Sequence, residues 1–282
     1  MQNAKQDDEV LSFGVLEKNT LSDPLDLHVE EVLNRSCTII PDVFTADEVG
    51  YARQALDKLY ADQTTTFGAE NLEKASDVNN VRCPLAYDDH FLNMATNKKI
   101  HSILAKLLGA NYVLMMQNAV INQPNRLQYQ VRWHRDLSYQ HWTSSKPLVL
   151  NFLIAIDKFT LEGGATFVLP GSHLYEKFPS SAYVKKHEVC LEASAGSVLL
   201  LDAMTFHRAG INSIPGFTRR ALNHVVGLPF MAQQIDIPNM LAKRGKDLSK
   251  DPFLYNYLGY RWNPAHDVED WRGKHLNLGK RV

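Results

Sequence analysis

Two histidines and an aspartate have the types and order of a metal-ligand set. His134 and Asp136 form a His-x-Asp pair, and His207 follows later in the chain. Two histidines and one carboxylate bind non-haem Fe(II) on one face and leave the other coordination positions open. A 2-oxo acid can chelate two open positions, and dioxygen can occupy the third. The sequence therefore predicts an oxygen-activating iron site in which His134, Asp136 and His207 are the metal ligands and the catalytic residues.

An arginine beyond the second histidine suits the other end of such an oxo acid. Arg219 follows His207 by about the length of one strand and its turn. A guanidinium is planar and binds a carboxylate at two points, so Arg219 is the predicted anchor for the far carboxylate. Arg220 is adjacent and has the same chemistry, so chemistry alone leaves both as candidates.

Each of these residues has a commoner structural explanation when it is taken alone. A His-x-Asp pair usually lies on the surface, and a single histidine or arginine usually forms hydrogen bonds or salt bridges. Zinc hydrolases also use histidine and aspartate ligands, but they leave Arg219 unexplained. A serine hydrolase is disfavoured because there is no Gly-x-Ser-x-Gly elbow, and no glycine-rich phosphate loop is present. The four residues in this order favour iron.

The elements that must position these residues change in kind along the chain. Thr45 and Glu48 form a capping box before apolar residues at helical spacing, and a second helix is predicted from about Asn97 to Gly109. Short β-rich runs then alternate with turn signals. The predicted strands are 112–122, 126–135, 148–157, 166–169, 198–202, 205–209 and 219–228. This order favours a mostly β fold with flanking α-helices, a cupin-like double-stranded β-helix (jelly roll) with N-terminal helices packed on it.

We expect a single domain, because no repeat, low-complexity tract or linker interrupts the chain. Its predicted parts are an N-terminal arm at 1–36, a helical support region at 37–110, a jelly-roll core at 111–230 and a C-terminal extension at 231–282. The arm is polar with little periodicity and is expected to drape over the domain. The aromatic-rich extension is expected to pack on the barrel exterior.

The predicted strand before the His-x-Asp pair alternates strictly between polar and apolar residues. The polar residues share one face if the strand is regular; they are Gln128, Gln130, Arg132 and His134. If His134 is a ligand inside a barrel, that face lines the interior. Gln130 and Arg132, with Gln140 and Trp142 just beyond the pair, are therefore candidates for substrate contacts near the metal and favour a small polar or anionic metabolite.

Composition disfavours several other classes of protein. The 282 residues are 45% hydrophobic and 22% charged, with a formal net charge of −1, so neither nucleic acid nor an anionic membrane is an expected partner. No apolar run reaches the roughly 18 residues of a membrane helix, and the polar start is unlike a signal peptide. Cys37, Cys83 and Cys190 are far apart and odd in number, which favours reduced thiols. We expect a cytoplasmic protein that acts on a small molecule, with an oligomeric state that the sequence does not indicate.

Taken in order, these residues resemble the phytanoyl-CoA dioxygenase-like (PhyH) family of Fe(II)/2-oxoglutarate-dependent oxygenases, over about 38–271. Residues 38–49 resemble the entry strand and first helix of that family, and 133–137 its His-x-Asp motif. Residues 163–173 are similar to its returning strand, and 196–212 to the block that carries the distal histidine.

The resemblance implies Fe(II), 2-oxoglutarate and O2 as the cofactor and co-substrates, with the three metal ligands named above. It also implies that Arg219 binds the C5 carboxylate of 2-oxoglutarate, because the functional arginine comes first in the basic pair of the family. Asn118 and Gln130 are further candidates for cofactor contacts. Ala209 stands where relatives often have a hydroxyl residue that helps to hold the oxo acid, and Leu153 where several have a tryptophan.

The expected activity is oxidation of a C–H bond of a small polar metabolite by a dioxygenase, with release of succinate and CO2. Family members that halogenate lack the carboxylate ligand, so Asp136 favours hydroxylation. One alternative is an iron jelly-roll lyase or isomerase that uses no oxo acid, in which Arg219 has no cofactor role. Another is a non-catalytic jelly roll that only binds a ligand.

Overall fold

The structure is a computed structural model, and it describes residues 10–125, 129–137 and 141–278. Its strands are β1 (Cys37–Ile40), β2 (Asn80–Arg82), β3 (Val113–Asn122), β4 (Val149–Ala155), β5 (Thr166–Val168), β6 (Val189–Leu191), β7 (Val198–Asp202), β8 (His207–Ala209) and β9 (Arg219–Gly227). Its helices are α1 (Asp26–Arg35), α2 (Ala46–Phe67), α3 (Ala69–Lys74), α4 (Asp89–Ala95), α5 (Lys98–Leu108), α6 (Ser181–His187), α7 (Ile237–Ala242), α8 (Pro252–Tyr257) and α9 (Val268–Leu278).

The strands form two antiparallel sheets that pack on each other. The larger sheet has the order β1-β7-β4-β9-β3-β2, and the smaller has the order β6-β5-β8. Leu199, Leu201 and Ala221 of the larger sheet pack in one apolar cluster with Val168 and Leu191 of the smaller. Two antiparallel sheets with helices around them confirm the predicted mostly β, jelly-roll fold.

The other face of the larger sheet is covered by the N-terminal helices. Phe152 of β4 and Leu222 of β9 are fully buried there, in one core with Leu56 of α2 and Phe91 of α4. Each such side chain contributes about 1.5–3 kcal/mol to folding through its burial. Since side chains alternate along a strand, the residues between these apolar ones face the space between the two sheets.

The two helices predicted from capping signals are confirmed. Thr45 and Glu48 cap the start of α2 reciprocally. The side chain of Asn97 accepts hydrogen bonds from the main-chain N–H groups at the start of α5, and Gly109 follows the end of that helix with φ at 82°. Local sequence was sufficient here because both signals act within one turn.

The segment expected to be an irregular arm contains α1, which is a correction to that expectation. Val32 on α1 is 1% exposed, and Lys106 of α5 forms salt bridges with Asp23 and Asp26. Tertiary contacts therefore stabilise a helix whose own periodicity is weak. Strand β1 agrees with the entry strand that the resemblance implies at the start of residues 38–49, whereas β2 lies within a stretch expected to be helical. That residues 1–282 form one domain stays a prediction.

The regular strand predicted over 126–135 is wrong for the part of it that the structure describes. Tyr129–Val131 is a turn of 3-10 helix, and sheet-like pairing is limited to an isolated bridge between His134 and His207. Residues 126–128, including Gln128, lie outside the described residues. The alternating pattern nevertheless has a structural counterpart, because Gln130, Arg132 and His134 all line the same cavity.

Within the described ranges, no helix is both long enough and apolar enough to cross a membrane.

Candidate active site

The three predicted metal ligands meet at the start of β8. His207 is the first residue of that strand, and His134 pairs with it through two main-chain hydrogen bonds of 3.0 Å. The main-chain N–H of Asp136 donates to the oxygen of Ala203 at 3.0 Å. One ligand atom from each of the three side chains lies within 4.8 Å of the other two. That spacing allows the three atoms to bind one cation.

Both histidine rings use Nδ1 for a hydrogen bond to the main chain. Nδ1 of His134 lies 2.8 Å from the oxygen of Arg132, and Nδ1 of His207 lies 2.9 Å from the oxygen of Thr205. A carbonyl oxygen only accepts, so Nδ1 carries a proton, and in the neutral form of each ring Nε2 therefore keeps its lone pair. Burial lowers the pKa of His134, and the nearby His207 lowers it further. Both effects favour the neutral ring that a metal requires.

The two carboxylate oxygens of Asp136 have different surroundings. Oδ2 accepts a hydrogen bond from Nδ2 of Asn151 on β4. Oδ1 lies 3.6 Å from Nε2 of His207. Oδ1, the oxygen near Nε2 of His207, is therefore the one available to a metal.

Arg219, the first residue of β9, is buried and forms no salt bridge among the described residues, although the charge of Asp157 is near enough to act on it. It is 2% exposed, and its Nε atom has no hydrogen-bond partner in the described part of the chain. The guanidinium carbon lies 4.6 Å from the ring centre of Phe159, a cation–π contact. Burial lowers the pKa of Arg219 to about 10, so the group is still cationic at neutral pH. A buried cation of this kind requires an anion.

Arg220, the alternative anchor, lies on the opposite face of β9. Its guanidinium forms salt bridges with Asp57 on α2, at 2.7 Å, and with Asp157, at 3.0 Å. Arg219 lines the same cavity as the metal-ligand triad, whereas Arg220 is not among the residues that line it. The structure therefore brings Arg219, and not Arg220, to the ligands.

A cavity of about 530 Å³ connects the triad with Arg219. Asn118 and Gln130, the predicted cofactor contacts, both line it. The amide of Asn118 fits its surroundings when its oxygen accepts from Nη1 of Arg82 at 2.8 Å and its nitrogen donates to the oxygen of Gln117 at 2.9 Å. Nε2 of Gln130 donates to Oδ1 of Asn80 at 3.3 Å. Both amides are thus held by neighbouring polar groups at the cavity wall.

The three predicted substrate contacts have different positions. Arg132 is exposed and lines the solvent side of the cavity. Trp142 is not a lining residue, and it packs with Leu148 and Met204 in a separate apolar cluster. Gln140 lies outside the described residues.

Several polar lining residues were not predicted from the sequence, among them Asn80, Arg82, Asn151 and Asn223. Asn80 and Arg82 are on β2, a three-residue strand inside a stretch of helical character, where no periodicity marks a strand. For Asn151 and Asn223, the sequence pattern did contain a signal that could have identified them. Asn151 is the polar residue of the otherwise apolar β4, and Asn223 occupies the same alternating positions as Arg219.

One end of the cavity thus holds the three predicted metal ligands, and the other end holds the buried guanidinium of Arg219. Neutral imidazoles and a carboxylate fit a divalent metal such as Fe(II). The buried cation fits the distal carboxylate of an oxo acid bound between them. The residues present thus fit both an iron ion and a dicarboxylate co-substrate.

Known proteins share this chain's sequence pattern and fold. A family model described as Phytanoyl-CoA dioxygenase (PhyH) matches residues 37–221. Rv1501 of Mycobacterium tuberculosis (strain ATCC 25618 / H37Rv) is 29% identical over 235 residues, which cover 80% of this chain and 83% of that protein. The iron/alpha-ketoglutarate-dependent dioxygenase penM of Penicillium thymicola is 29% identical over 152 residues, covering 51% of this chain and 46% of penM.

Among solved structures, the epimerase SnoN in complex with Fe3+, alpha ketoglutarate and nogalamycin RO has a TM-score of 0.56. It is 18% identical, and the match covers 81% of this chain and 93% of SnoN. At that identity the likeness shows a shared fold.

Proposed function

This chain belongs to the phytanoyl-CoA dioxygenase (PhyH) family, and we propose that it is a dioxygenase dependent on Fe(II) and 2-oxoglutarate. In this proposal it oxidises, by hydroxylation, a C–H bond of a small polar metabolite and releases succinate and CO2. The observation that carries the proposal is the single cavity that holds both the His134, Asp136 and His207 triad and the buried Arg219.

Each site residue has a defined task in this proposal. His134 and His207 hold the metal through Nε2, and Asp136 holds it through one carboxylate oxygen. Arg219 orients 2-oxoglutarate by binding its C5 carboxylate, and the burial of that guanidinium excludes water from the ion pair. When bound, Fe(II), 2-oxoglutarate and O2 supply the oxidising chemistry. The remaining polar wall is available to orient the substrate.

Hydroxylation is the specific reaction that we propose, because Asp136 supplies a carboxylate ligand. Halogenating relatives lack that ligand. SnoN, which shares the fold, is an α-ketoglutarate-dependent epimerase, so the product must be identified to separate hydroxylation from other oxidations. Mass spectrometry of the product distinguishes the gain of one oxygen atom from the loss of two hydrogens or from an unchanged mass.

The first test measures formation of succinate from 2-oxoglutarate with Fe(II). We expect His207→Ala to reduce succinate formation at least ~100-fold, because it removes one of three metal ligands. His141→Ala is the matched control, since His141 is exposed and does not belong to the triad. Equal turnover by His207→Ala and the native chain would overturn the proposal.

A second test separates this function from an iron lyase or isomerase that uses no oxo acid. Arg219→Gln should raise the KM for 2-oxoglutarate about 100-fold, because a buried charge pair contributes on the order of 2–5 kcal/mol to binding. Arg220→Gln is the control on the opposite face of the same strand. The alternative enzyme is favoured if Arg219→Gln retains its iron-dependent activity and if that activity responds to 2-oxoglutarate as the activity of the native chain does.

The cavity wall supports a small substrate that carries an anionic group. Apart from Asp136, the described lining residues include no carboxylate, and they include no phenylalanine, tyrosine or tryptophan, whereas several carboxamides are present. Arg82 is paired with Asp77, Arg135 donates to main-chain oxygens of the neighbouring loop, and Arg219 is assigned to the oxo acid. Arg132 therefore supplies the cationic group at the solvent side, where it can meet an incoming anion.

The substrate class is tested with a panel of small carboxylates, amines and neutral polar metabolites scored by succinate formation. We expect carboxylates to stimulate turnover most. For the best substrate, Arg132→Gln should raise KM about tenfold and leave the KM for 2-oxoglutarate unchanged, since one exposed charged contact contributes roughly 1 kcal/mol. Arg272→Gln, an exposed arginine on α9, is the control. Stimulation by amines alone would contradict an anionic substrate.

A further inference from the structure

Asn151 is a polar residue in an otherwise apolar strand. The other residues of β4, from Val149 to Ala155, are apolar. Asn151 is 4% exposed, and it pairs with Leu201 and Val225 in the neighbouring strands. An apolar side chain would satisfy these surroundings, because burying an amide among such neighbours costs free energy unless its atoms are hydrogen-bonded.

Among the described residues, the side chain of Asn151 makes one hydrogen bond, and its partner is a predicted metal ligand. Its Nδ2 atom donates to Oδ2 of Asp136. An ionised carboxylate only accepts, so this contact fixes which end of the amide faces Asp136. The Oδ1 atom of Asn151 is then buried, and it has no hydrogen-bond partner among the described residues. The amide therefore leaves its oxygen without a hydrogen bond among the described residues, which costs free energy, while its nitrogen makes the bond to Asp136.

We propose that Asn151 is a positioning residue that sets which oxygen of Asp136 binds the metal. With Oδ2 engaged by Asn151, Oδ1 is the free carboxylate oxygen, 3.6 Å from Nε2 of His207. Binding through one oxygen occupies one coordination position and keeps the rest of the face open for the co-substrates. Hydrogen bonds that orient a ligand in this way also tune metal affinity. The inference rests on the proposed function only in that the triad binds a divalent metal.

The test uses the full chain without metal, titrated with Co(II), whose visible spectrum reports coordination geometry. Asn151→Leu should weaken Co(II) binding about 10- to 100-fold and change the shape of the visible spectrum, because Asp136 is then free to bind through both oxygens. Asn223→Leu is the matched control: Asn223 is another asparagine of the cavity wall, on the adjacent β9, and within the described ranges its Oδ1 has no hydrogen-bond partner and its side chain makes no bond to a predicted metal ligand. It should bind Co(II) within about twofold of the native chain with the same spectrum.

Asn151→Ser guards against misfolding of the leucine variant, because serine is small and polar but too short to reach Asp136. Circular dichroism verifies that each variant is folded. Folded Asn151→Leu or Asn151→Ser protein that has native Co(II) affinity and a native spectrum would overturn the inference. Failure of the native chain itself to bind Co(II) or Fe(II) would instead contradict the proposed function, so the two failures are distinguishable.

Discussion

At the scale of single residues, Arg135 joins the His-x-Asp pair to the neighbouring loop. It stands between two predicted metal ligands, yet its side chain is directed away from them and is 2% exposed. Its guanidinium donates to the main-chain oxygens of Ser172, at 2.9 Å, Tyr175 and Glu176. It also lies 3.9 Å from the ring centre of Phe206. Arg135 thereby fixes the main chain that carries both ligands.

Replacing Arg135 should destabilise the fold more than replacing a half-buried arginine nearby. Arg135→Met removes the donor to the carbonyl oxygen of buried Ser172 and the packing on Phe206, and we expect a loss of about 3 kcal/mol in the free energy of unfolding. Arg208→Met is the control, because Arg208 forms a partly exposed salt bridge with Glu188 that contributes about 1 kcal/mol or less. Urea unfolding of both variants measures the difference. Equal losses would contradict the anchoring role of Arg135.

At the scale of elements, the turn before β7 depends on close approach of two main-chain segments. The oxygen of Gly196 accepts hydrogen bonds from the N–H groups of Val43, at 3.1 Å, and Phe44, at 3.0 Å. Gly196 has φ at +86°, and a Cβ atom there would overlap the oxygen of Phe44. Glycine is therefore required both by its backbone conformation and by the space available.

Gly196→Ala should lower the free energy of unfolding by more than about 3 kcal/mol, because the backbone strain adds to the steric overlap. Gly216→Ala separates the two effects. Gly216 has φ at +74° but nothing within 4 Å of an added Cβ, so only the backbone cost of about 1–2 kcal/mol remains. Thermal and urea unfolding measure both losses. If the two variants lose the same free energy of unfolding, the overlap of an added Cβ with the oxygen of Phe44 does not destabilise the fold.

The sequence predicted those elements whose signals are local. Capping residues and apolar spacing identified α2 and α5, and β9 was predicted together with Arg219 on it. The segment before His134 was misassigned because its alternation is that of a strand while its described pairing is a single bridge to His207. Asn80 was missed because β2 exists only through its pairing with β3. Contacts between distant segments determine such features, and periodicity does not record them.

At the scale of the whole molecule, the larger sheet separates two interiors of opposite character. One face packs on helices α2, α4 and α5 in an apolar core, and the other carries the polar wall of the active-site cavity. His224 of β9 lies on the helical side, fully buried and stacked on Phe152 with ring centres 4.1 Å apart. Its Nε2 lies 2.8 Å from Nε2 of Gln117. A titratable ring thus lies inside the main core.

Burial lowers the pKa of His224 to about 3, which links the stability of the whole fold to pH. The unfolded chain binds a proton at this residue near pH 6.5, whereas the folded chain does not until about pH 3. The unfolded state therefore binds more protons in this range, and the free energy of unfolding falls as pH falls from about 6.5 towards 3. Above pH 6.5 both states are neutral at this residue, so its contribution is fully present.

We expect His224→Gln to flatten the acid side of the stability profile, since glutamine can accept the hydrogen bond from Gln117 but does not titrate. Between pH 6 and pH 4 the native chain should lose up to about 1.4 kcal/mol per pH unit more than the variant, the value for one proton. Urea unfolding at pH 7, 6, 5 and 4 measures both profiles, and carboxylates that titrate in both proteins cancel in the comparison. His275→Gln, an exposed residue on α9, should leave the native slope unchanged. If the stability profiles of the native chain and His224→Gln are parallel, the folded chain accepts a charged ring on the helical side of the sheet. That result would contradict the separation of the two interiors.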